Sequence, residues 1–423
     1  MRVGRYALLS LALLGLLLLP ASSAAEERGE GRIDVEKIDA HRKARRSNYP
    51  LGKRISRYLS AAAEETDGGN IAEAQALLDK LRPRRLNPLE RAYLYRLKAF
   101  VSYSEGDYEA AIENFEKTLK EEILPVRDDS RIRFNIAQLY ASLQRWSDVV
   151  AALNRWFRYV DEPIPLAYYL MGIAYYQQSE VDAAIENTTK AIDLSPEPAE
   201  SWLQLLAALY TQKEDYASAV PIFEELVIRH PKKAYWVQLS LLYGALEDYR
   251  HSLSVQQLAY LQGFLTEDKE LRRLARSYLY HGVPVAAAEV LQKGLADGTI
   301  EPDVAAYELL ANSWIGAREY EQSLPALEKA AELAENGDLY LRLGQVHMQR
   351  ENWKQAAEHL DRALAKGDLD NPGNAQLLLG ISYYNDQRVS KARASFARAR
   401  RHEATRTEAE RWMQHIARED QAS

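Results

Sequence analysis

The sequence predicts an all-α fold, a stack of about ten helix-turn-helix units, and three observations predict it. Between Leu166 and Pro231 one pattern is written twice. It reads Tyr168, Met171, Gly172, Tyr175, Ala184, Thr188, Ala191 and Pro196, then Leu203, Leu206, Ala207, Tyr210, Ala219, Phe223, Leu226 and Pro231. The two readings are offset by about 35 residues at every mark, and a fixed period of that size is the signature of stacked repeats. Within each reading the large residues recur every three or four positions, which places one apolar stripe on a helix. Small residues interrupt that stripe where a second helix must cross closely. A hairpin of this kind has two apolar faces and buries only one alone, so it stacks on neighbours.

Phased from that stretch, ten units start near residues 55, 92, 130, 165, 200, 233, 268, 304, 337 and 373. Breaks between first and second helices fall at Gly68-Gly69, Gly106, Arg145, Glu180, Glu214, Glu247, Gly282, Arg318, Glu351 and Gln387, where Gly or a polar pair ends a helix. The second unit follows the pattern from Tyr95 through Gly106, Ala111 and Phe115; the ninth runs Tyr340, Leu343, Gly344, His347, Trp353, Ala356, Leu360 and Ala363. The first, the third and the unit starting at 268 depart most, with Ala61 and Ala62, Val149 and Gly294 at marked positions. Pro221 and Pro325 fall early in second helices, where the first turn's free N–H groups soften the lost hydrogen bond. After the tenth unit, Thr405 to Asp420 reads as one more helix with Trp412 and Ile416 on its apolar edge, a cover for the last open face.

These marks resemble the tetratricopeptide repeat, a helix-turn-helix unit of about 34 residues. The resemblance implies an α-α superhelix, a solenoid over residues 55–404, with a capping helix and tail at 405–423.

Ahead of the repeats, Arg2 and Arg5 precede an apolar run from Ala7 to Leu19, then Pro20 and small residues to Ala25. The run is too short to span a bilayer, which takes about 20 residues, and reads as a cleavable signal peptide over 1–25, cut after Ala24 or Ala25. The expectation is a periplasmic protein that is not integral to the membrane once cleaved. Residues 26–54, with His41, Arg42, Lys43, Arg45, Arg46, Lys53 and Arg54, read as a basic, flexible leader.

Composition narrows the chemistry. A net charge of −7 with 27% charged residues gives no sign of a nucleic-acid binder. The lack of cysteine removes disulfides, thiol catalysis and thiolate metal sites. Tyrosine is abundant, 26 in 423, and the repeat phasing absorbs many of these rings as core positions. No HExxH, GxxxxGK[ST], GxGxxG or GxSxG is present; His347 and His359 fall on two different helices, too far apart to be read as metal ligands, and His347 reads as a core residue. The prediction is no enzyme, no cofactor and no metal.

Binding remains. The family resemblance implies that first helices line a concave wall. Arg96, Phe100, Tyr103, Phe134, Gln138, Tyr169, Ile173 and Tyr176 would then face a groove for a peptide, and Lys269, Arg272 and Arg276 would hold an acidic segment. Some family members clamp a terminal carboxylate with a Lys and Asn pair; Glu308 and Asn312 stand at the matching places, which speaks against that activity here. In overall layout the chain is similar to periplasmic repeat proteins of Gram-negative bacteria proposed as accessories of TonB systems. That implies a scaffold whose partner is TonB-, ExbB- or ExbD-like. Rival expectations are a scaffold for envelope assembly or polysaccharide export, and a peptidoglycan-associated accessory.

Overall fold

The computed structural model describes residues 33–422, and regular structure among these is helical throughout, with 22 α-helices and two short 3-10 turns. The signal-peptide segment 1–25 and the start of the basic leader lie outside the described residues. The chain divides into two compact units, one ending at Asp215 and the other beginning at Tyr216.

In the first unit, helix α1 (Val35–Ser47) precedes α2 (Lys53–Asp67) and α3 (Ile71–Asp79), α4 (Pro88–Ser104) and α5 (Tyr108–Lys120), α6 (Val126–Ser142) and α7 (Trp146–Phe157), α8 (Pro165–Gln177) and α9 (Val181–Asp193), and α10 (Glu200–Gln212). From α2 onward each helix packs on the next in sequence. In the second unit, α11 (Tyr216–Arg229) packs on α12 (Lys233–Ala245), followed by α13 (Tyr249–Leu261), α14 (Asp268–Tyr280), α15 (Pro284–Ala296), α16 (Val304–Gly316), α17 (Tyr320–Leu333), α18 (Asp338–Gln349), α19 (Trp353–Lys366), α20 (Pro372–Asn385), α21 (Val389–Ala399) and α22 (Arg406–Ala422). First helices begin where the repeat phasing places them, except that the second and third open four residues early, at Pro88 and Val126. At the former the cause is local. Asn87 and Glu90 form a reciprocal capping box, and Pro88 sits at the first helical position, where its missing N–H costs nothing.

Hairpin turns share one device. A single residue after each first helix takes a left-handed backbone, at Gly69, Gly106, Gln144, Ser179, Glu214, Glu247, Gly282, Arg318, Glu351 and Gln387, with φ between 56° and 79°. The following N–H then reaches back to close the helix end, as Asp248 N does to the Tyr243 carbonyl at 2.9 Å. Asp107 and Asp248 cap the next helix by accepting from Ala110 and His251. Only three of the ten are glycine, so the polar breaks in the sequence mark strained turns as surely as the glycines do.

Close crossings explain the small marks. At Gly380 an added Cβ would lie 2.6 Å from the Phe396 ring, and at Gly344 the same distance from Leu360. Gly294, the departure in the unit that starts at 268, lies under Ile300, which would meet a Cβ at 2.6 Å. Val149, the departure in the third, is fully buried and fits its place. At the C-terminal end, Trp412 of α22 stacks on Phe396 with centroids 5.5 Å apart, and Ile416 is buried beside it.

The basic leader is corrected in part. Residues 35–47 form α1, which packs on α6. Arg42 is buried, pairing with Asp129 at 2.7 Å and donating to the Leu124 carbonyl; Arg45 and Arg46 donate to the carbonyls of Glu122 and Ile123. Asp39 accepts from Val126 N and so caps α6. These cations satisfy the carbonyls of the α5–α6 loop, and the segment expected to be flexible is docked here.

Candidate functional site

First helices of the first unit carry the residues expected to line a groove. Tyr103 is exposed, tilted over Tyr108; Arg96 and Gln138 are half-buried. The others are committed to seams. Phe100 meets Phe115 edge-on with centroids 5.4 Å apart, and Phe134 lies against Trp156 at the same separation. Tyr169 stacks on Trp202 at 5.2 Å, and burial pushes its phenol pKa up. Ile173 and Tyr176 pack onto the cluster of Ala184, Leu205 and Leu209. These side chains pack one helix against another, so their free area is the edge each leaves to solvent.

In the second unit Arg272 is corrected. It is buried, bonding Asp268 and Asp303 through its guanidinium at 2.5 and 2.9 Å and the Glu301 carbonyl at 3.0 Å. Asp303 in turn caps α16 by accepting from Ala306 N, and the Arg272 guanidinium holds its carboxyl below the usual range. Arg272 therefore fastens α14 to α16 and presents no charge to a partner. Lys269 and Arg276 remain exposed. Glu308 and Asn312 are also taken, both by Arg342 of α18.

His347 and His359 sit on α18 and α19, 12 positions apart, on two different helices as the sequence implies. They are buried, and their rings stack nearly parallel, 3° apart in plane, with centroids at 5.1 Å. Among the described residues no group of three or more His, Cys, Asp or Glu side chains is placed to hold a metal ion. No described helix is long and apolar enough to cross a membrane.

Each unit is thus a row of helix pairs in which a buried arginine, Arg42 in the first and Arg272 in the second, clamps neighbouring helices together. That is the class of helical-repeat scaffolds for protein–protein interaction. The tetratricopeptide-repeat family model matches residues 341–406, from α18 to beyond α21, and that stretch has the repeat's helix-turn-helix architecture. A second model, described as T7SS, ESX-1 secretion system protein EccA1, N-terminal domain, matches residues 94–260. Similar solved structures include a tetratricopeptide repeat protein from Parabacteroides merdae ATCC 43184, with 16% identity over 61% of this chain and 99% of that one and a TM-score of 0.35. MamA from Desulfovibrio magneticus RS-1 shows 19% identity over 41% of this chain and 97% of that one, with a TM-score of 0.29. None of the curated proteins matches the chain.

Proposed function

We propose that this chain is an exported, non-catalytic scaffold that holds an extended segment of a partner protein in the periplasm. We assign it as an accessory of a TonB-ExbB-ExbD system, helping couple inner-membrane energy to nutrient uptake at the outer membrane. The observation that carries the scaffold reading is the commitment of buried polar groups. Arg42 and Arg272, both buried, and half-buried Arg342 each spend donors fastening one helix to another, which builds rigidity. A preformed rigid wall loses little entropy on binding. The periplasmic and TonB assignments rest on the layout of the sequence, an export-type N-terminus ahead of the repeats.

In-cell cross-linking followed by affinity capture tests the assignment. Recovery of a TonB-, ExbB- or ExbD-type protein is expected. Recovery of an outer-membrane assembly or polysaccharide-export complex instead, or sedimentation with purified sacculi, replaces it with one of the rival scaffolds. A second reading, an accessory of a protein-secretion machine, is favoured by the match over residues 94–260, and the same capture would recover secretion components.

A further inference from the structure

The exposed face of α14 differs from its neighbours. Lys269, Arg273, Arg276 and Tyr280 recur at intervals of four, three and four, so they lie along one side of the helix, and all four are exposed. None of the described ion pairs takes Lys269, Arg273 or Arg276. Nearby carboxylates are occupied: Glu267 and Glu270 bind Lys233, while Asp268 and Asp303 bind Arg272. The equivalent register on α12, 35 residues earlier, holds Ala234, Gln238, Leu241 and Ala245, all exposed and uncharged. On α16 it holds Ala305, Leu309, Asn312 and Gly316. The α14 face is therefore a cationic row between uncharged rows of the same register on α12 and α16, and the carboxylates beside it are already paired. At its C-terminal end Tyr280 is 78% exposed and meets Tyr249 edge-on at 6.3 Å, beside exposed Leu246.

We propose that the α14 face docks an extended acidic segment of a partner protein, reading two acidic side chains two residues apart and a large apolar one two residues further on. The spacing follows from geometry. Same-side residues of an extended chain recur about every 6.7 Å, and four residues of helix rise about 6 Å. Carboxylates at positions one and three of the segment thus meet Lys269 and the Arg273–Arg276 pair, and the apolar residue at position five comes to Tyr280 and Tyr249. One carboxylate is matched by the Lys269 ammonium and the other by the two guanidinium forks, and the aromatic edge supplies the apolar contact. This site deepens the scaffold reading and rests on it.

The test is a fluorescence-anisotropy titration of the purified chain with a labelled peptide containing Asp-Ser-Asp-Ser-Phe. A control peptide carries Lys at both Asp positions. Saturable binding of the acidic peptide is expected, at least about tenfold tighter than the lysine control and weakened by added salt. Arg273→Glu with Arg276→Glu should weaken it at least about tenfold, and Tyr280→Ala about threefold, with helicity and Tm unchanged because these side chains are exposed. Equal affinity of the reversed variant, or no discrimination between peptides, overturns the site. So does binding to vesicles of phosphatidylglycerol without binding of the peptide. If cellular capture of a TonB-type partner succeeds while the peptide fails, this face is wrong and the scaffold reading stands. If the peptide binds while capture fails, the partner assignment is wrong and the face stands.

Discussion

His347 and His359 lie ring on ring in the second unit, 5.1 Å between centroids, with neither Nδ1 hydrogen-bonded. Tyr340 stacks on the outer side of His359 at 6.3 Å, and Glu328 of α17 approaches its Nε2 to 4.0 Å. Burial pushes both imidazole pKa values down, that of His359 to about 4, with the neighbouring His347 and Arg362 adding to the shift; Glu358 opposes it at both rings and Glu328 at His347. The pair is held neutral inside the fold.

Acid lability follows. Above pH 6.5 the imidazoles are neutral both in the folded and in the unfolded chain. Between 6.5 and about 4 the unfolded chain takes up protons that the folded one refuses, so stability is complete above pH 6.5 and falls as pH drops toward 4. The loss from His359 alone is roughly 3 kcal/mol by the bottom of that window. Thermal melts from pH 7.5 to 4.5 should show the Tm of wild type falling more steeply than that of His347→Gln with His359→Gln. Parallel curves would contradict it.

Arg42 is a lock. The Asp129 carboxyl is raised in pKa by burial in spite of the guanidinium beside it, so removing the cation leaves a buried charge without compensation. Arg42→Ala should cost about 3 kcal/mol in urea unfolding, and Arg42→Met with Asp129→Leu should recover most of that loss. A single variant as stable as wild type would place α1 outside the folded unit.

Turn chemistry gives effects of opposite sign. Arg318 holds φ at 62°, which costs a side-chain-bearing residue about 1–2 kcal/mol, while glycine loses roughly 0.5–1 kcal/mol of chain entropy. Arg318→Gly should therefore stabilise by about 0.5 kcal/mol, and Gly282→Ala, at φ 71°, should destabilise by about as much. Differential scanning calorimetry of the two variants reads both shifts. Equal signs would deny that these residues share one backbone state.

Tyr169 separates a seam from a groove. Its ring is stacked between helices on Trp202, so Tyr169→Ala should lower unfolding stability by about 2 kcal/mol. Loss of partner affinity at unchanged stability would return this ring to the binding surface.

What the sequence disclosed and what it concealed divide along physical lines. A period of 35 is carried by residues whose burial the repeat demands, and Ala184, Leu203, Ala219 and Leu226 are all fully buried where the pattern put them. Helix starts were legible for the same reason. The docking of α1 was not, because Arg42 is buried by one long-range carboxylate, Asp129, 87 residues away, and a basic stretch reads alike whether solvated or paired. Arg272 was hidden the same way, by Asp303 on the next hairpin, and its exposed neighbour Arg273 carries the charge assigned to it. The aromatics of α4, α6 and α8 were placed on the right helices, yet spacing along one helix leaves open how much of each ring a neighbouring helix covers.

The most direct measurement is calorimetric titration of the purified chain with the soluble segments of TonB-, ExbB- and ExbD-type proteins, alongside the Arg273→Glu, Arg276→Glu variant. The account predicts saturable binding of one of them, weakened at least about tenfold by the charge reversal. Absence of heat and of binding with all three, by a chain whose helicity and melting show it folded, would contradict it.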